Sequence, residues 1–288
     1  MRFTKMHGLG NDYIYINGLA EDLSLYDLPE LSRILSDRHF AVGGDGIILI
    51  LPSEQADFRM RILNSDGSEA EMCGNGVRCF AKYVYEHGLT DKTELEVETG
   101  AGLIKPVLTV EDGKVQSVRV DMGEPRLTRG QIPMTGDPSA PAQQVVIPVA
   151  DIAYEANCVS MGNPHCVIFV DEITDDMVLG HGPLIEVHEL FPRKTNVEFV
   201  QVLSDSEVRM RVWERGAGET MACGTGACAT TTASILGGHC GRKVTVHLLG
   251  GDLEIEWSEE DNHIYMTGPA TEAFNGEVAE EFIVGARL

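Results

Sequence analysis

From residue 77 to residue 85, the apolar side chains Val77, Phe80, Ala81 and Val84 recur at i, i+3, i+4 and i+7, and Gly88 follows. That spacing predicts a helix with one buried face and a glycine stop. A second helix is predicted over 227–236. It is rich in small residues (Ala229, Ala233, Ser234) and runs into Gly237-Gly238, a composition suited to tight enclosure by other elements. Strand-like segments, several of them alternating, fall at 58–63, 95–99, 103–110, 115–121, 166–170, 197–202, 208–213, 244–248 and 253–257. Glu111-Asp112-Gly113-Lys114 reads as a hairpin turn between two of them. Residues 123–144, rich in Pro, Gly and Ser, read as a connection, and Phe282-Ile283-Val284 as a last strand returning to the first part of the chain.

The pattern occurs twice. Shifted by 150 residues, Arg59-Met60-Arg61 lies over Arg209-Met210-Arg211, Glu69 over Glu219, Cys73-Gly74 over Cys223-Gly224 and Gly76 over Gly226. Across 59–76 that makes seven identities in eighteen ungapped positions, two of them in a rare Cys-Gly pair, which chance explains poorly. A looser echo, offset by 152, relates Gly10-Asn11 to Gly162-Asn163. Two copies make a pseudo-dimer; a stacked array would need three or more. The chain is therefore expected to be an α/β (α+β) protein of two pseudo-symmetric modules. The first takes 1–121 plus 272–288 and carries Cys73; the second takes 122–271 and carries Cys223.

Composition narrows the functional classes. The 288 residues are 43% hydrophobic and 23% charged, as in ordinary globular proteins. The formal charge of −23 argues against nucleic acid and anionic lipid as partners. No apolar run approaches the roughly 18 residues of a membrane span. The first residues lack the apolar stretch of a signal peptide, so a cytoplasmic location is the default. Seven cysteines, an odd number with no C-x-x-C spacing, read as free thiols with no metal site.

The chemistry sits in the two Cys-Gly-x-Gly motifs, each opening a predicted helix. A helix N-terminus offers backbone N–H groups and the positive end of the macrodipole. A cysteine there is expected to have a lowered pKa. The amides of Gly74, Asn75, Gly224 and Thr225 can cradle a carboxylate. A pseudo-twofold axis relating the modules would set one sulfur on each side of the α-carbon of a small bound carboxylate. That geometry suits inversion at carbon: one thiolate takes the proton from one face and the other thiol delivers one to the opposite face. Positioned acid–base groups supply about 10²–10⁴-fold. Each donor aimed at the developing enediolate adds about 2.7–4 kcal/mol, by analogy with an oxyanion hole.

The segment from Asn64 through Met72-Cys73-Gly74-Asn75-Gly76 to Cys79 resembles the first signature of the diaminopimelate epimerase family. The segment from Glu214-Arg215 to Cys223-Gly224-Thr225-Gly226 resembles the second. His7-Gly8-Leu9-Gly10-Asn11-Asp12, Gly162-Asn163-Pro164-His165 and Thr195-Asn196-Val197-Glu198 match further blocks, so the resemblance covers nearly the whole chain. It implies modules each built as a curved, mostly antiparallel sheet around a central helix, usually in a homodimer. It also implies a pyridoxal-independent enzyme, needing no cofactor, that interconverts LL- and meso-diaminopimelate for lysine and peptidoglycan-precursor synthesis. Cys73 and Cys223 would be the acid/base pair. Asn11, Asn64, Asn163, Asn196, Glu214 and Arg215 would hold the small-molecule substrate, with Gly74-Asn75 and Gly224-Thr225 on the reacting carboxylate. His165 and Glu214 would tune the thiols. One departure is Gly46, where some members carry a substrate-touching glutamine.

The distal amino-carboxylate of such a substrate suits these residues. Arg215 offers a planar fork for its carboxylate, and Asn and Glu side chains offer acceptors for its ammonium. A related cofactor-independent proline or hydroxyproline racemase is the alternative, and it would need no distal subsite. A binding module that keeps the fold without catalysis is another. Cys158 and Cys240 read as core residues; Met60 and Met210 do so too, and Arg59 and Arg209 as structural strand residues.

Overall fold

The computed structural model describes residues 1–288, which divide into two compact units: Met1–Val120 with Gly268–Leu288, and Asp121–Thr267. No helix is long and apolar enough to cross a membrane.

The sheet of the first unit runs in the order Thr271–Glu277, Arg2–Gly8, Asn11–Asn17, Gly46–Leu51, Phe58–Asn64, Val97–Thr99, Gly102–Ile104. Two of its pairs are parallel, Asn11–Asn17 with Gly46–Leu51 and Phe58–Asn64 with Val97–Thr99. Parallel neighbours require a crossover. Here the crossovers contain helix α1 (Leu28–Ser36) and helix α2 (Gly74–Glu86). The two helices take opposite faces of the sheet. Leu31 and Leu35 of α1 pack with Ile14, Ile16, Ile47, Leu49 and Leu63. Helix α2 touches the strands Arg2–Gly8, Asn11–Asn17, Gly46–Leu51 and Thr271–Glu277, so the sheet curves around it. Its apolar face is the one the periodicity predicts: Val77, Phe80, Ala81 and Val84 are all fully buried.

Coverage on both faces explains a strand that alternation does not reveal. Gly46–Leu51 is an unbroken apolar run, buried at Gly46 to Ile50, as expected for a strand shielded on both sides. Two predicted strands need correction. Residues 103–110 are split into Gly102–Ile104 and Val107–Glu111 around Lys105-Pro106, because proline cannot donate to a ladder. Phe282-Ile283-Val284 is not a strand: it lies across two 3₁₀ turns, and the returning strand is Thr271–Glu277, paired with Arg2–Gly8. Ile283 is nevertheless fully buried in the first unit's core. The hairpin at Asp112-Gly113 forms with φ of 49° and 75°, the tight two-residue turn that suits twisted strands.

The second unit repeats the plan. Its strands run Val145–Val149, Ile152–Ser160, Pro164–Phe169, Asn196–Val202, Glu207–Glu214, Lys243–Leu248, Gly251–Trp257, Ile264–Gly268. The parallel pairs recur, Pro164–Phe169 with Asn196–Val202 and Glu207–Glu214 with Lys243–Leu248. Helix α3 (Gly182–Glu186) and helix α4 (Gly224–Leu236) lie in the crossovers. Helix α4 touches six of these strands, so this sheet also wraps a central helix. It is enclosed nearly all round, and two of its buried hydroxyls bond back within the helix: Thr232 Oγ1 donates to Cys228 O (2.9 Å) and Ser234 Oγ to Thr230 O (2.8 Å). The repeated arginines have a matching role. Arg61 forks onto Glu69 (2.8 and 2.9 Å), and Arg211 Nε donates to Glu219 (2.7 Å), each tying the strand before a cysteine to the short strand leading into it.

Candidate active site

Each Cys-Gly-x-Gly motif forms a helix start of the same design. Cys73 and Cys223 are the N-cap residues of α2 and α4, with extended backbones (φ −143° and −120°). Their sulfurs accept the N–H groups of Gly76 and Gly226, both at 3.4 Å, where a serine or aspartate oxygen would sit in an ordinary cap. Intrahelical bonding begins at Val77 N to Cys73 O (2.8 Å) and Ala227 N to Cys223 O (3.0 Å). The amides of Gly74, Asn75, Gly224 and Thr225 thus precede the first intrahelical bond.

In the first unit, Cys73 Sγ lies 3.3 Å from Asn11 Oδ1, which also accepts from Asn75 Nδ2 (3.3 Å). Asn11 is held from behind: its Nδ2 donates to Asp45 Oδ2 (2.7 Å), which also takes the Asp12 N–H (3.0 Å), while Arg38 donates to Asp45 Oδ1 (2.8 Å). Asn64 ends its strand opposite Gly46, and its Nδ2 donates to Ser68 Oγ (3.0 Å). A Cβ at Gly46 would lie 2.1 Å from the Leu63 carbonyl oxygen. The chain here is shaped around glycine, and no side chain reaches the site from that position.

In the second unit a continuous network runs from Cys223. Its Sγ is 3.6 Å from Thr225 Oγ1, which accepts from Asn163 Nδ2 (3.2 Å). Asn163 Oδ1 is 3.1 Å from His165 Nε2, and His165 Nδ1 donates to Glu198 Oε1 (2.6 Å) with both side chains fully buried. Asn196 Nδ2 donates to Pro164 O (2.9 Å), and its Oδ1 accepts the Arg215 N–H (2.9 Å). Glu214 takes the Thr220 hydroxyl (2.5 Å). The Arg215 side chain faces a cavity of about 630 Å³ lined also by Arg126, Gly162, Pro164 and Arg193.

With this geometry established, comparisons with known proteins decide the family. The family model described as diaminopimelate epimerase matches residues 3–128 and 157–272. The chain belongs to the diaminopimelate epimerase family. It is 61% identical to the diaminopimelate epimerase of Moorella thermoacetica over 277 residues, covering 96% of this chain and 99% of that protein. It is 57% identical to that of Methanococcus maripaludis over 278 residues, with the same coverage. Among solved structures, a probable proline racemase from Agrobacterium radiobacter K84 shares the fold, with a TM-score of 0.71 at 19% identity over 96% of this chain and 92% of its own. A hydroxyproline epimerase from Agrobacterium vitis superposes with a TM-score of 0.70 at 19% identity over 96% and 90% of the two chains.

The expectation of lowered thiol pKa values is not met. Burial pushes Cys73 up, and the Gly76 N–H, the Tyr13 hydroxyl and the Arg78 guanidinium pull it back only in part. Cys223 is pushed well up by burial and then by the Glu214 and Glu198 carboxylates, against the Thr225 hydroxyl and the Gly226 N–H. A helix N-terminus lowers a thiol pKa where the sulfur stays hydrated; here desolvation outweighs it. Glu214 is itself pushed up by burial, despite its bond from Thr220 and the nearby His165. Cys158 lies in the core, but Cys240 is half-buried near the surface, with its thiol 3.5 Å from Ser204 O.

Sequence reasoning passed over four residues around these networks: Asp45, Arg126, Glu198 and Arg193. Glu198 stands two residues after Asn196, and period 2 in a strand puts both on one face. That signal was available. Arg126 had none, since it comes from the irregular connection, pinned by two backbone bonds to Ser160 (2.9 Å each).

Proposed function

We propose that this protein epimerises LL- and meso-diaminopimelate through two thiols and without a pyridoxal cofactor. A thiolate removes the α-proton from one face and the other thiol, Cys73 or Cys223, returns a proton to the opposite face. The observation that carries the reading is the repeated N-cap: two cysteines, each at a helix start and each preceded by the same strand–clamp–strand unit. The amides of Gly74-Asn75 and Gly224-Thr225 receive the reacting carboxylate, whose enediolate form gains charge as the proton leaves. Asn11, Asn64, Asn163, Asn196, Glu214 and Arg215 orient the substrate, and the Arg215 guanidinium takes the distal carboxylate. The cavity supports this last role, because none of Arg126, Arg193 and Arg215 has a carboxylate in ion-pair range, whereas neighbouring Lys194 is paired with Glu186 (3.2 Å). Unpaired guanidinium groups in so acidic a chain are suited to a carboxylate ligand. A proline or hydroxyproline substrate would leave this subsite idle.

The same reading includes a cytoplasmic location and a homodimer, and light scattering on the purified protein tests the oligomeric state. The reaction is tested by incubating the protein with LL-diaminopimelate in D2O. Meso product carrying deuterium at one α-carbon is expected; no exchange there, with exchange into proline, would replace the reading by the racemase alternative.

A further inference from the structure

The internal duplication provides each thiol with a control for its surroundings. Four corresponding positions differ in charge type: Tyr13 and His165, Ile48 and Glu198, Asn64 and Glu214, Arg78 and Cys228. The correspondence holds in the fold. Tyr13 pairs in parallel with Gly46 as His165 does with Asn196. Ile48 and Glu198 are each the third residue of their strands, Asn64 and Glu214 each the last of theirs, and Arg78 and Cys228 each the fifth of their helices. The second pair also occupies the same place against its helix. A Cβ built at Gly76 would meet Ile48 Cδ1 at 2.7 Å, and one built at Gly226 would meet Glu198 Oε1 at 2.9 Å.

Cys73 therefore has the Tyr13 phenol and the buried guanidinium of Arg78 near it, the Asn11 amide at 3.3 Å and the Ile48 alkyl chain across Gly76, with no carboxylate at the places of Glu198 and Glu214. Asp45, behind Asn11, is matched by Arg38. Within its own unit Cys223 has two carboxylates near it, Glu214 and Glu198, the latter bonded to the His165 imidazole. Glu198 is fully buried, and its Oε2 has no hydrogen-bond partner. A buried carboxylate with half its acceptor capacity unused costs stability. Isoleucine at the equivalent place in the first unit shows that the fold does not require it.

We propose that the duplicated sites have diverged into a fixed polarity: of the two thiols Cys73 is the first to give up its proton and Cys223 the last, and Glu198 is the positioning residue that sets this order. The proton balance has a consequence. When the Cys73 thiolate takes the substrate α-proton and the Cys223 thiol gives up its own, Cys73 is left protonated and Cys223 ionised. Exchange with solvent then restores the resting order, so the pair is reset after each turnover in that direction. The inference rests on the two-thiol reading for its catalytic meaning, but the order of ionisation is measurable with no substrate present.

The test is pulsed alkylation of the intact protein by iodoacetamide between pH 6 and pH 10, with the Cys73 and Cys223 peptides followed by mass spectrometry. The midpoint of each pH profile reports ionisation regardless of how accessible the sulfur is. The Cys73 midpoint is expected at least about one pH unit below that of Cys223, a tenfold difference in thiolate ratio. In Glu198→Gln the Cys223 midpoint should fall and the Cys73 midpoint stay in place. Glu214→Gln should move Cys223 the same way, so the order remains testable if the first variant fails to fold. Coincident or reversed midpoints in the wild-type protein overturn the proposal, as does a Glu198→Gln variant that folds and leaves Cys223 unmoved. Absence of diaminopimelate turnover with the order intact would remove the proposed function and leave this inference standing; turnover with the order reversed would remove the inference alone.

Discussion

Replacing Gly226 by alanine separates a helix-propensity effect from a site effect. In an ordinary helix interior the change stabilises by roughly 0.5–1 kcal/mol. Here the new methyl carbon would lie 2.9 Å from Glu198 Oε1 and 3.2 Å from both Cβ and Sγ of Cys223. Carbon contacts are comfortable only at about 3.5–4.0 Å. Glu198 cannot retreat, being fully buried and bonded to His165, so the sulfur or the first turn of α4 must move. Overpacking of this kind costs about 1–3 kcal/mol. The net expectation is a loss of about 1 kcal/mol, or about 2–4 °C in Tm for a unit of this size. A sulfur displaced by about 1 Å should lower kcat about 10²-fold. The duplicate is the control. At Gly76 the nearest atom is Ile48 Cδ1, the rotatable end of a side chain, and Cys73 Sγ is at an ordinary 3.6 Å. Gly76→Ala should therefore lose less than about tenfold. Differential scanning calorimetry and chiral chromatography of the LL- and meso-forms measure both effects. A Gly226→Ala protein as active as wild type, or a Gly76→Ala protein damaged more, would refute the reasoning.

Other perturbations test separate parts of the structure. Asp45→Ala frees Asn11 without touching either cysteine, and KM should rise about tenfold or more in steady-state kinetics, since a bond to a charged acceptor contributes about 1.5–3 kcal/mol. The double variant Arg126→Gln/Arg193→Gln should raise KM for diaminopimelate and tighten competitive inhibition by L-lysine, which lacks the distal carboxylate; unchanged inhibition would remove those arginines from the distal subsite. Glu86 is pushed up by burial but pulled further down by the bonds from Lys82 (2.7 Å), the Val115 N–H (2.8 Å) and Lys114 (3.2 Å), so its pKa is below the usual 4.5. Its contribution is then complete above the unfolded-state value and is lost as pH falls through the folded one. Glu86→Gln should destabilise the protein to urea at pH 7, with the difference closing below pH 4.5.

Much of this was legible because the duplication is ungapped where it matters. The two N-caps, the small-residue helix and the arginine strands could all be placed from one offset. What was not legible follows physical lines. A strand covered on both faces, such as Gly46–Leu51, loses its alternation, and a strand assigned through Pro106 ignores the ladder bond that proline cannot make. The apolar residue Ile283 reports burial, which a 3₁₀ turn satisfies as well as a strand does. The thiol ionisation was misjudged because a motif locates the helix dipole but not the surrounding carboxylates or the loss of water. Glu198 stands in the same motif as Asn196, two residues on, yet only the fold shows its carboxylate against the first turn of α4.

The two-thiol claim is tested most directly by assaying Cys73→Ala and Cys223→Ala separately with LL- and meso-diaminopimelate. Each variant should fold as wild type does and lose interconversion in both directions, because one acid/base group cannot serve both faces of a carbon. Interconversion at near wild-type rate by either variant would contradict the account.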